Sequence, residues 1–194
     1  AKQDDVTIFV EEYDADTDMY FGMQIFAGAV TTGPCMAIAP DAVADQIFMM
    51  TPSGSAESIP LAGSNIYQMC FTDPNQGAAS AQYISDKSLG DKIAVIYKND
   101  DVYSTGIYNS FNAKAQELGL EIVSTTTFTT DSQTDFSVQI ADAKNNGADL
   151  VFLPMYYDAA SLILTQANAI GYAPTFFGVD GMDGILTLEG FDPA

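Results

Sequence analysis

The residues able to grip a small charged molecule form a short series: Thr32 ahead of Gly33 and Pro34, Ser53 and Ser55 around Gly54, then Tyr103, Tyr156 and Asp180. Thr32-Gly-Pro reads as a helix start, with Thr32 as the N-cap and Pro34 in the first turn, where its missing N–H is harmless. The exposed backbone N–H groups of such a start attract an anion, and a carboxylate suits them. Ser53 and Ser55 add hydroxyl and backbone contacts, and a single acid such as Asp180 suits an ammonium group. Together they describe a cradle for a zwitterion. Each motif alone has a blander and commoner reading. Thr-Gly-Pro is usually only a helix cap, Ser-Gly-Ser an ordinary loop, a tyrosine a half-buried packing residue, and the Asp of Val179-Asp180-Gly181 a turn residue. What favours a binding role is that all of them follow segments that read as strands, because open parallel sheets take ligands beyond the carboxyl ends of their strands.

The residue types that are missing narrow the chemistry further. With no histidine there is no Ser-His-Asp or Cys-His arrangement, no imidazole metal ligand and no proton shuttle of ordinary pKa near neutrality. The two cysteines, Cys35 and Cys70, are too few for a cysteine-only zinc site. They form one disulfide or stay as two thiols, and their spacing does not choose between these. No cofactor or metal is expected. The net charge of −20, from 26 acids against six lysines and no arginine, argues against nucleic acid and against an anionic membrane surface. At 194 residues, 47% of them hydrophobic, the chain is long enough for one large domain or two small ones and is not a disordered sequence. Its most apolar stretch, Gly22 to Pro40, is interrupted by Thr31 and Thr32 and does not read as a membrane span.

The elements that must position these residues read as an α/β alternation. From Lys92 the order is strand Lys92 to Tyr97, helix Ser104 to Leu118 ended by Gly119, strand Glu121 to Phe128, helix Asp135 to Asn145, strand Asp149 to Leu153, helix Ala159 to Ile170 and strand Thr175 to Gly178. The inward helix positions are Ile107, Phe111, Ala115 and Leu118, then Phe136, Ile140 and Ala143, then Leu162, Ile163, Ala167 and Ile170. This spacing predicts a parallel sheet covered on both faces. The first part is less regular: strands at Val6 to Val10, Ile25 to Gly28 and Ile47 to Thr51, and helices at Pro34 to Asp45 and Gln76 to Lys87. Pro52 to Asn65 carries no periodicity, and Thr72-Asp73-Pro74 reads as a turn at a lobe boundary. Between the strands at Val6 and Ile25 there is little room for a crossover helix, so segments of a longer chain are expected to be missing.

Several stretches resemble one family. Gly28-Ala-Val-Thr-Thr-Gly-Pro34, Thr51-Pro-Ser-Gly-Ser55, Asp73-Pro-Asn-Gln-Gly77, Lys92 to Tyr97 followed by Tyr103, Thr134-Asp-Phe-Ser137, and Ala148 to Leu153 followed by Tyr156 are similar, in matching order, to the branched-chain amino acid-binding proteins of ABC importers. The resemblance implies a type I periplasmic-binding-protein fold, two Rossmann-like lobes with parallel sheets, here residues 1–72 and 73–194, each partial. Carried over by position, it gives Thr32 the ligand carboxylate and Ser53 and Ser55 both ends of the ligand. Tyr103 and Tyr156 then cover the ligand, and Asp180 takes the ammonium. Ser53 stands where a small apolar residue is common, and Asp180 where a longer Glu also occurs.

The expectation is a non-enzymatic, exported receptor, periplasmic or a cell-surface lipoprotein, monomeric, with an amino acid as ligand and an ABC permease as partner. The lack of arginine favours a neutral amino acid. A ligand-sensing domain of a receptor or regulator would share this fold. A hydrolase using Asp180 or Asp183 is the third reading, but no visible pattern pairs a nucleophile with a base.

Overall fold

The computed structural model describes residues 12–14, 19–21 and 25–191. The strand expected at Val6 to Val10 lies outside them. The chain divides into two compact units, Ala1–Thr72 and Asp73–Ala194.

In the first unit β1 (Glu12–Asp14) and β2 (Met19–Phe21) pair antiparallel, with Tyr13 opposite Tyr20. A three-stranded parallel sheet follows in the order β3-β4-β5, built from Ile25–Ala27, Phe48–Thr51 and Ile66–Gln68. Alternation sends Phe26, Met49 and Ile66 to one face, where they pack with Cys35, Ala39 and Ala42 of α1 (Thr32–Ala44) and Ile59 of α2 (Ser58–Leu61). The other face is open. Ile25 is 67% and Tyr67 50% exposed, and Tyr67 stacks on Phe48 with ring centroids 5.1 Å apart.

The second unit holds a four-stranded parallel sheet in the order β7-β6-β8-β9, from Glu121–Phe128, Lys92–Lys98, Leu150–Leu153 and Thr175–Gly178. Its helices are α3 (Asp73–Lys87), α4 (Val102–Leu118), α5 (Ser137–Asn145) and α6 (Tyr157–Ala169). The strand pleat divides the core cleanly. Ile93, Val95, Leu150 and Phe152 meet Ala81 and Ile84 of α3 and Ile107, Phe111 and Ala115 of α4. Ala94, Ile96, Val151 and Leu153 meet Phe136, Ile140 and Ala143 at α5 and Ala160, Ile163 and Ala167 on α6. Both faces are sealed, as a parallel sheet requires.

Two expectations are corrected, and two short elements are added. Leu162 and Ile170 do not face inward: they are 38% and 50% exposed, because the buried stripe of α6 runs through Ala160, Ile163 and Ala167. The segment Pro52 to Asn65 contains α2, whose four residues are too few to show a period. β5 is a three-residue strand that an alternation test cannot find. Asp73-Pro74 begins α3 rather than a turn; proline in the first helical turn surrenders an N–H that has no intrahelical partner, and Asp73 places negative charge at the positive end of the helix.

Candidate functional site

β6 is the point where the chain changes direction: the crossover through α4 leads to β7 on one side, and the next, through α5, leads past β6 to β8 on the other. In a doubly wound sheet the crevice opens between those two central strands at their carboxyl ends. Tyr103 follows β6 and Tyr156 follows β8, and their rings stack across this point with centroids 4.5 Å apart and planes 17° from parallel. Tyr103 is almost fully buried, while Tyr156 is half-buried.

Asp180, just beyond β9, joins them. The Tyr103 hydroxyl donates to Asp180 Oδ1 and accepts the Gly181 N–H at 2.9 Å. Gln76, from the first turns of α3, donates its amide Nε2 to the same Oδ1 at 2.8 Å. Asp180 itself is exposed, and its Oδ2 accepts no hydrogen bond from the described residues. Burial, reinforced by the bond to Asp180, pushes the Tyr103 phenol well above its ordinary pKa, so it stays a proton donor throughout the physiological range. Tyr103, Tyr156 and Asp180 are thus brought together within the second unit. Gln76 and Gly181 complete the cluster, and neither had been singled out from its position after a strand.

The acids next to Tyr103 serve the backbone instead. Asp101 caps α4 by accepting the Ser104 N–H at 3.0 Å, and Asp100 accepts the Thr130 N–H at 2.9 Å.

In the first unit the helix start is displaced by one residue from the expected position. Thr31, in extended conformation, is the N-cap of α1 and makes no side-chain cap, so Thr32 is the first helical residue. Its hydroxyl is therefore not consumed by capping. Thr32 is 1% exposed and its Oγ1 has no hydrogen-bond partner among the described residues. A buried hydroxyl without a partner at the start of a 13-residue helix has room for one further hydrogen bond, as have those of Thr72 and Thr126 elsewhere.

The Ser53-Gly54-Ser55 loop rests on the first turn of this helix. Gly54 donates its N–H to Thr51 Oγ1 at 2.8 Å, and the Thr51 hydroxyl donates to the Ala29 carbonyl at 2.7 Å. Cys35 Sγ lies 3.2 Å from that carbonyl and 3.3 Å from Thr51 Oγ1. The Gly54 carbonyl accepts from Gln68 Nε2 at 2.8 Å and from Cys70 Sγ at 3.3 Å. A Cβ on Gly54 would fall 2.7 Å from Cys35 Sγ, so only glycine allows this approach. Ser55 is buried at 1% exposure and Ser53 is exposed. Cys35 and Cys70 are not joined in a disulfide, which decides the alternative left open by their spacing, and burial raises the pKa of Cys35. Thr51, Gln68 and the two cysteines shape the loop through contacts that no local pattern announces.

Among the described residues no cluster of three or more acidic or cysteine side chains is arranged to hold a metal, and no helix is long and apolar enough to cross a membrane.

The parallel sheets of this α/β chain thus carry hydroxyls, stacked tyrosines and exposed carboxylates shortly past their strands. Residues 21–190 match the family model described as periplasmic binding protein, and the chain belongs to that family. Its fold is of type I, as in a leucine-binding protein LivK from Thermotoga maritima, which superposes with a TM-score of 0.79 at 28% identity over 86% of this chain and 48% of that one. The branched-chain amino acid transporter substrate-binding protein LivJ of Streptococcus pneumoniae, in complex with isoleucine, gives a TM-score of 0.73 at 25% identity, covering 80% of this chain and 43% of LivJ. A Leu/Ile/Val-binding protein homolog 3 of Brucella melitensis is 25% identical over 162 residues, 83% of this chain and 44% of the relative. The chain spans less than half the length of each.

Proposed function

We propose that the protein is the ligand-receiving part of an extracytoplasmic solute-binding protein of an ABC importer, and that its ligand is a free neutral amino acid of branched-chain type, bound without chemical change. The observation that carries the reading is Asp180: an exposed carboxylate fixed against a buried phenol, with one oxygen unused and two tyrosine rings beside it. An ammonium group is what such a site would hold, through a charge-assisted hydrogen bond. Thr32, whose buried hydroxyl lacks a partner, is suited to the carboxylate of the same ligand at the start of α1, with Ser53 and Ser55 as further donors. On this reading the ligand docks first on Thr32, Ser53 and Ser55, Tyr103, Tyr156 and Asp180 then close over it, and a membrane permease receives the closed form. The relatives named for leucine, isoleucine and valine support the ligand class. The absence of arginine supports a neutral side chain, because no guanidinium offers itself to a second carboxylate.

Calorimetric titration of the purified protein with leucine, isoleucine, valine, glutamate and 4-methylpentanoate, the analogue of leucine without its amine, tests the reading. The branched-chain amino acids are expected to bind, with glutamate and the deaminated acid far weaker. Asp180→Asn is expected to lower leucine affinity about 10- to 100-fold, the worth of one charged hydrogen bond of roughly 1.5–3 kcal/mol. Tight binding confined to compounds that lack an α-amine would overturn the role given to Asp180.

A further inference from the structure

The stretch Asp73-Pro-Asn-Gln-Gly77 has so far been given no task at the site, yet it delivers Gln76 to a carboxylate 104 positions away. The geometry points to Gln76 as a positioning residue for ligand recognition: its amide, together with the Tyr103 hydroxyl, saturates Oδ1 of Asp180 and so leaves Oδ2 as the oxygen presented to the ligand. This inference rests on the reading of Asp180 as the ammonium acceptor. Three features carry it. Both donors converge on the same oxygen, and the second oxygen receives none from the described residues. A carboxylate on an exposed loop otherwise turns freely about its side-chain torsions, and two donors on one oxygen remove that freedom before the ligand arrives. The amide cannot be reversed, since turning it end for end would put a carbonyl oxygen against the carboxylate.

The backbone under Gln76 is built to keep it there. α3 lies so close to α4 that a Cβ on Gly77 would fall 2.2 Å from the Ile107 carbonyl oxygen and 2.8 Å from the Phe111 nitrogen. Ser110 donates its hydroxyl to the Pro74 carbonyl, and Ser80 donates to the Gln76 carbonyl at 2.8 Å. The position of the amide is therefore set by α4, the same helix that carries Tyr103. Oε1 of Gln76 is buried with no partner among the described residues, so the described hydrogen bonding of this amide is directed at Asp180.

The test is a double-mutant cycle on the purified protein, with leucine titrated by calorimetry into the wild type, Gln76→Ala, Asp180→Asn and the pair, and with thermal melts as a check on folding. Gln76→Ala is expected to weaken leucine binding about tenfold in the wild-type background and hardly at all in the Asp180→Asn background. Gln76→Glu keeps the size of the side chain but sets a second carboxylate against Asp180; it is expected to bind leucine no better than Gln76→Ala, whereas a mere spacer would retain wild-type affinity. A ligand-free readout runs beside these: the Gly181 amide resonance, whose proton bonds to Tyr103, should shift in both Gln76 variants. Equal losses from Gln76→Ala in the two backgrounds, wild-type affinity in Gln76→Glu, or an unmoved Gly181 signal would each sink the proposal. Should the wild type bind no amino acid at all, the ligand reading falls, and the Gly181 signal still decides whether Gln76 holds Asp180.

Discussion

Tyr103 is a buried phenol whose hydroxyl lies between an exposed carboxylate and a backbone N–H. Burial first, and the Asp180 bond after it, raise its pKa above the ordinary 10.0. The folded protein thus keeps a proton that the unfolded chain would release, so the contribution of this group to stability is whole below about pH 10 and is lost as pH climbs through the raised value. Urea unfolding at about pH 8 and again at about pH 10.5 should therefore show a larger alkaline loss of stability for the wild type than for Tyr103→Phe. An equal loss in both proteins would mean that the unfolded state, not this hydroxyl, governs the alkaline limb. Tyr103, Tyr156 and Asp180 can be picked from the sequence as candidates because each lies within a few residues of the end of a strand. Gln76 cannot, since its partner is remote along the chain and side-chain pairings of that sort leave no periodic trace. The cap expected at Thr32 lies at Thr31 instead. That one-residue displacement puts Thr32 inside the helix, so its hydroxyl is not used as a cap.

At the level of elements, long periodic segments were legible and short ones were not. The strand Glu121–Phe128 and the end of α4 at Gly119, which adopts φ +71°, follow directly from β-branched residues and a helix-stopping glycine. α2 and β5 form because Ile59 and Ile66 reach the core under α1, a tertiary cause. Two substitutions probe how the elements are held. Asp101→Ala removes the cap of α4 and should cost about 1 kcal/mol in chemical unfolding. Gly77→Ala must push α3 away from the Ile107 carbonyl and should cost roughly 1–3 kcal/mol, with weaker leucine binding as Gln76 is carried off its mark. Unchanged stability in Gly77→Ala would show that α3 can slide without penalty.

On the scale of the whole molecule, the two units are unequally protected. The sheet of the second is enclosed on both faces, with Ile93, Ala94, Val95, Leu150 and Phe152 fully buried, whereas the sheet of the first has one open face. Hydrogen exchange should accordingly be slowest in Lys92–Lys98 and Leu150–Leu153, and faster in Ile25–Ala27 and Ile66–Gln68. Uniform protection across the two sheets would contradict this ordering. What lies over the second face of the first sheet could not be foreseen, because alternation in β4 marks which residues share a side and not what lies over them.

That open face has a practical side. Ile25, Phe48 and Tyr67 form a ready adsorption patch for solvatochromic dyes, so a dye-based melting curve would begin bright and hide the transition. Replacing Tyr67 by lysine should darken that starting signal, and label-free calorimetry is the better way to follow the unfolding of this protein.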